Sequence, residues 1–196
     1  MGIAATRLLV YAGVLAVGVG TAAVAFTVGG PPKMKAGKRV FLLGDSLAVG
    51  LSRPLATIAK DHGVAFESMA VQGTRIDQWA NNEALFAAIR KFKPNLILIS
   101  LGTNDEYMTG DGGTRQKPYL QKLLSTLEAI APVAWIGPPK LPKAGTNGVI
   151  PMIVETVPSS MYYPSQKLEI PRAPDKLHPT TGGYAGWAGE IWKWLT

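Results

Sequence analysis

Short, wholly apolar runs alternate with longer stretches of helical period along most of this chain. Arg39-Val40-Phe41-Leu42-Leu43 ends at Gly44 and suits a strand buried on both faces. Leu47 to Lys60 has helical content interrupted by Pro54, and Val64 to Ala70 reads as a second strand. Ile76 to Phe92 follows as a helix, with Trp79, Leu85, Phe86 and Ile89 as core contacts and Pro94 just past its end. Asn95 to Leu101 is the clearest central strand. Gln116 to Ile130 reads as a helix, Val133 to Ile136 as a fourth strand, and Thr181 to Leu195 as a closing helix. In that last helix Tyr184, Trp187, Ile191 and Leu195 form an apolar stripe that reads as core packing. Strands alternating with helices predict an α/β domain with a parallel sheet. No internal repeat is visible.

The pattern changes before Arg39. Leu8 to Val28 is a run of 21 residues without a charge, preceded by Arg7 and followed by Pro31-Pro32 and several lysines. As a helix it would span roughly 30 Å, the thickness of a bilayer core, and it has no polar face. Two readings stay open. One is an uncleaved membrane anchor, which the length favours. The other is a cleavable signal peptide with Ala23-Val24-Ala25 as its cleavage site. Ala12, Ala16 and Gly20 form a row of small residues that suits helix-on-helix packing, or ordinary composition. More basic residues follow the span than precede it, which by charge alone puts the domain in the cytoplasm. An envelope function would place it on the other side. The chain thus divides into a hydrophobic segment over 1–28, a Pro/Gly/Lys linker over 29–38 and a single domain over 39–196.

Composition narrows the classes. In 196 residues, 47% hydrophobic and 17% charged marks a globular chain with a substantial core. The absence of cysteine excludes disulfides, a thiolate metal site and a lipidated cysteine. Net charge is +7. Arg7, Lys33 and Lys35 precede residue 37 with no acidic partner, which leaves 17 basic against 13 acidic residues, a remainder near +4. Arg90-Lys91-Phe92-Lys93 is the only dense basic cluster and reads as the solvated end of a helix, so no nucleic-acid partner is expected. An anionic surface such as phospholipid or cell-wall polymer remains compatible with this charge.

Four short blocks carry the candidate chemistry: Gly44-Asp45-Ser46-Leu47, Gly73, Gly102-Thr103-Asn104-Asp105 and Asp175-Lys176-Leu177-His178-Pro179. Ser46 stands between the first strand and the first helix. Such a turn projects a side chain from the carboxyl edge of the sheet, where α/β folds bind ligands. Gly-Asp-Ser alone would equally suit a helix cap. Serine attacks well only when a base takes its proton, and His178 is the candidate base. His62 lies at the end of the first helix and reads as a surface residue. Pro179 keeps His178 out of helical geometry and suits the start of the closing helix. Asp175, three residues earlier, can turn back to the second ring nitrogen, or serve as a turn residue. The Asn104 amide can donate to an oxyanion, or close an Asx-turn at the strand end. Gly73 by itself is a turn glycine.

In this order the blocks resemble the SGNH (GDSL-type) hydrolase family, over roughly Arg39 to Leu195. The resemblance implies a three-layer α/β/α sandwich around a flavodoxin-like parallel sheet of about five strands. It also implies an acyl-enzyme mechanism with Ser46 as nucleophile, His178 as base and Asp175 as its acid partner. The oxyanion hole would be the Ser46 and Gly73 N–H groups with the Asn104 amide. No metal or organic cofactor enters such a mechanism. The family's substrates include acetylated carbohydrates, lysophospholipids, thioesters and aryl esters. The membrane segment points to envelope substrates, acetylated glycan before lipid. Gly137 to Gly148 is the expected substrate-facing loop, with Lys140 and Lys143 available to a polar ligand or simply to solvent. Two other classes fit the sequence less well: a degenerate domain that binds glycan without hydrolysis, and a structural protein of a membrane or virion assembly.

Overall fold

A computed structural model gives the architecture and describes residues 30–142 and 147–196. The hydrophobic segment expected over 1–28 lies outside the described residues. Among the described residues no helix is long and apolar enough to cross a membrane.

Five parallel strands form one sheet: β1 (Arg39–Gly44), β2 (Ala65–Ala70), β3 (Leu96–Ser100), β4 (Val133–Ile136) and β5 (Tyr162–Tyr163), in the spatial order β2-β1-β3-β4-β5. This is the flavodoxin-like order, with helices on both faces. Every residue of β3 and β4 is buried, which is why these strands read as unbroken apolar runs. The edge strand β2 is largely exposed.

The helices are α1 (Ser46–Asp61), α2 (Ile76–Trp79), α3 (Glu83–Phe92), α4 (Thr103–Glu106), α5 (Gly112–Glu128), α6 (Val149–Thr156) and α7 (Thr181–Leu195). α1 packs against α7, and α5 against α2 and α6. The core contacts expected from the pattern are buried: Trp79, Leu85, Phe86, Ile89, Trp187, Ile191 and Leu195.

Several elements differ from expectation, each for a local reason. α1 runs unbroken through Pro54. Leu51, Leu55 and Ala59 bury one face of it, and that packing outweighs the single backbone hydrogen bond a proline removes. The helix expected over Ile76 to Phe92 is two helices. Asn82 leaves helical geometry (φ −95°, ψ 89°) and its side chain accepts the Leu85 N–H at 3.0 Å, which starts α3 afresh. α6 and β5 arise in a stretch without an expected element, because β5 has only two residues and α6 eight.

The stretch read as a linker lies along the domain from Gly30 onward. Pro31 and Met34 are buried, and the Met34 N–H donates to the carbonyl of Leu195 at 2.7 Å. Met34 thus ties the amino-terminal side of the domain to the end of α7. Met34→Ala is expected to destabilise the fold by about 2–3 kcal/mol, as for a buried methionine. Urea unfolding would measure it; a change below about 0.5 kcal/mol would return the segment to linker status.

Candidate active site

The strand order reverses between β1 and β3, and this is where open α/β sheets bind ligands. Ser46 follows β1 and Asn104 follows β3, so the two blocks meet at that point. Gly44 makes the close approach: at φ +155°, a Cβ there would lie 1.9 Å from the Ser100 carbonyl oxygen. Only glycine lets β1 end against β3 in this way, and the Asp45 N–H then donates to that same oxygen at 3.1 Å.

Asp45, not Ser46, caps α1. Its carboxylate accepts the Leu47 N–H at 2.9 Å, and it is fully buried. Burial pushes Asp45 up to about 6, held back by the Leu47 N–H and by Thr103. Ser46 is the first helical residue and half-buried, with its backbone N–H in the first turn, where no intrahelical acceptor exists.

His178 arrives from the other end of the chain. Its Nε2 lies 2.8 Å from Ser46 Oγ and its Nδ1 2.7 Å from Asp175 Oδ2. Asp175 Oδ1 accepts the backbone N–H groups of Leu177 and His178, each at 2.9 Å, so a four-residue turn holds acid and imidazole together. The side-chain hydrogen bond to His178 is the largest of the contacts that lower Asp175 to about 2, followed by the two N–H groups. Arg172 donates to the Leu177 carbonyl and, at 2.8 Å, to the Lys140 carbonyl, bracing the turn from behind. Thr180 caps α7 by accepting the Gly183 N–H at 3.0 Å. Pro179 therefore precedes the cap, where the sequence placed it at the helix start.

The loop after β2 is fastened to the loop after β3 by adjacent residues. Asn104 Nδ2 donates to the Thr74 carbonyl at 2.9 Å, which leaves its second N–H. Asp105 accepts the Ile76 N–H on both oxygens, at 3.2 and 3.3 Å. Gly73, at φ +76°, immediately precedes these fastenings. Ser46, Gly73, Asn104 and His178 line one pocket of about 700 Å³ together with Val49, Gly50, Gln72, Leu177 and Tyr184.

Those last five residues were not singled out as site residues. Val49 and Gly50 fall three and four residues after Ser46 on one helix, so helical spacing could have found them. Tyr184 was read as core, yet it is only half-buried and faces the pocket. No described residue of the stretch from Gly137 to Gly148 lines the pocket, and Lys140 instead gives its carbonyl to Arg172. Residues 143–146, Lys143 among them, lie outside the described residues.

Burial pushes Asp105 up to about 7, opposed by the Ile76 N–H and reinforced by Asp77 and Asp45. The folded protein therefore keeps a proton there that the unfolded chain loses above its ordinary value of 3.8. The stability Asp105 contributes is present in acid and declines as pH rises from about 4 to about 7, by roughly 4 kcal/mol at most. Asp105→Asn stays neutral and can still accept from Ile76. We expect it to remove that decline, so that urea midpoints of the variant and the parent converge at pH 4 and separate by pH 8. Parallel pH profiles would refute it.

No family model matches the chain, and no curated protein matches it in sequence. Solved structures do share its fold. The psychrotrophic esterase EstA from Pseudoalteromonas sp. superposes with a TM-score of 0.63 at 18% identity, over 81% of this chain and 96% of its own. The acetylxylan esterase Axe2 from Geobacillus stearothermophilus gives 0.59 at 14% identity, over 83% and 96%. The lipase/acylhydrolase from Enterococcus faecalis gives 0.57 at 18% identity, over 80% and 94%. The chain thus has the fold of the SGNH-type hydrolases that its four blocks resemble.

Proposed function

We propose that this protein is a serine esterase that hydrolyses carboxylic esters through an acyl-enzyme. The observation that carries the reading is the continuous hydrogen-bonded line from Ser46 Oγ through both ring nitrogens of His178 to Asp175, with Ser46 and His178 opening on one pocket. The Asp175 contact sets Nδ1 as the protonated nitrogen and leaves Nε2 free to accept the serine proton.

Ser46 Oγ attacks the ester carbonyl as its proton passes to His178 Nε2. The carbonyl oxygen becomes an oxyanion facing the N–H groups of Ser46 and Gly73 and the free N–H of Asn104. Collapse of this intermediate expels the alcohol, which takes the proton from His178. Water, deprotonated by the same nitrogen, then attacks the acyl-serine, and the second intermediate breaks its bond to Ser46 Oγ, which takes back the proton from Nε2 as the carboxylic acid leaves. Asp175 stays ionised and steadies the transient imidazolium, consistent with its lowered proton affinity.

For the substrate we favour an O-acetyl group on an envelope glycan. The acetylxylan esterase among the structures of like fold supports an acetylated sugar. The apolar segment over 1–28, as anchor or signal, supports an envelope location. Lysophospholipids and thioesters are the alternative. A screen of p-nitrophenyl acetate, acetylated xylan, acetylated peptidoglycan and lysophospholipid, run beside labelling by a fluorophosphonate, tests both levels. One label per chain on Ser46 with hydrolysis of the acetylated glycans is the expected result. No label and no hydrolysis would leave a binding domain on a hydrolase fold.

A further inference from the structure

The lining of the site pocket includes one aromatic ring, that of Tyr184. A second groove, about 600 Å³, runs along the outer seam between α1 and α7, and it shares Gly50 and Tyr184 with the site pocket. A Cβ on Gly50 would lie 2.0 Å from Tyr184 Cζ, so the ring rests directly on the backbone of α1. Trp187 stacks against it from one turn further along α7, with ring centroids 6.2 Å apart and planes 25° apart. The ring is held on two sides and stands as a partition between the two spaces.

The geometry of the reaction says what would cross that partition. The tetrahedral carbon on Ser46 carries three other groups. Gly73 and Asn104 take the oxyanion, and His178 takes the leaving oxygen. Of the remaining lining, Gln72 adjoins Gly73 and Leu177 adjoins His178, so the wall away from both is Val49, Gly50 and Tyr184, where the acyl chain is placed. Beyond Tyr184 the groove is lined on α1 by Arg53, Pro54, Thr57 and Ile58 and on α7 by Thr181 and Ala185. From Gly50 to Ile58 this is about 12 Å of helix, the length of a medium acyl chain and several times that of an acetyl group.

We infer that Tyr184 sets the acyl-length limit of this enzyme: its ring seals the site from the largely apolar α1–α7 groove, so that short acyl esters are the substrates, and its removal admits a medium acyl chain to the groove. The inference rests on the esterase reading of the same pocket, and it separates that reading's two substrate classes, placing acetyl esters ahead of lysolipids.

The test is the ratio of kcat/KM for p-nitrophenyl octanoate to that for p-nitrophenyl acetate. The parent should favour acetate. Tyr184→Ala should raise the ratio at least tenfold, and Tyr184→Leu should raise it if the alanine variant does not fold. Tyr184→Phe should keep the parental ratio, because the ring and not the hydroxyl builds the wall. Thr57→Trp, added to Tyr184→Ala, should fill the groove and bring the ratio back. An unchanged ratio in both the alanine and leucine variants, with Ser46-dependent acetate hydrolysis intact, overturns the partition and spares the esterase reading. A gain confined to acetates of long alcohols would assign the groove to the leaving group and also overturn it. Absence of Ser46-dependent hydrolysis in the parent would overturn both.

Discussion

Ser46→Ala is expected to lower esterase kcat by a factor on the order of 10⁴ or more while leaving the fold intact. The size follows from the proposed mechanism, in which loss of the nucleophile leaves His178 and the oxyanion donors no covalent step to assist. The intact fold follows from the division of labour in the Gly-Asp-Ser block. Asp45 supplies the cap of α1 and is buried, whereas Ser46 is half-exposed and, among the described residues, its hydroxyl bonds to His178 alone. Thermal unfolding of the variant should therefore stay within about 0.5 kcal/mol of the parent, and fluorophosphonate labelling should vanish. A folded variant that keeps most of its p-nitrophenyl acetate hydrolysis would remove Ser46 as the nucleophile.

Asn104→Ala should lower kcat by roughly 10²–10³-fold and change KM little, because the oxyanion exists only in the transition state. The structure adds a second consequence. The same amide donates to the Thr74 carbonyl, so the alanine variant also loses the tie to the loop that carries Gly73. A loss of about 1 kcal/mol in stability should accompany the kinetic loss. An effect confined to KM, with kcat unchanged, would reassign Asn104 to binding the ground-state substrate.

Much of the fold was legible because this sheet is buried on both faces. β1, β3 and β4 are apolar along nearly their whole length, and helices cover them on either face. The candidate site was readable for a different reason. The groups proposed to react stand at strand ends and helix starts, and such turns carry glycine, aspartate and asparagine at fixed places. What escaped the sequence was short or shared between elements. β5 is two residues long, below the length at which alternation can register. The break between α2 and α3 hangs on the Asn82 side chain, whose hydrogen bond competes with a helix that periodicity alone would continue. Tyr184 sits on the helical period of a core stripe, and period alone does not say which neighbour a residue at the edge of that stripe meets.

The sequence by itself therefore determined the order of elements, the parallel sheet and the residue types that could react. These are consequences of local spacing and of which side chains can leave water. Tertiary structure alone decided that His178 reaches Ser46 across 132 positions, that Asn104 and Asp105 fasten the loop of Gly73, and that a glycine on α1 seats the ring of Tyr184. Those are distances of a few ångströms between segments remote in the chain. They are set when the two helical layers close on the sheet, and no local pattern encodes how far apart two such segments come to rest.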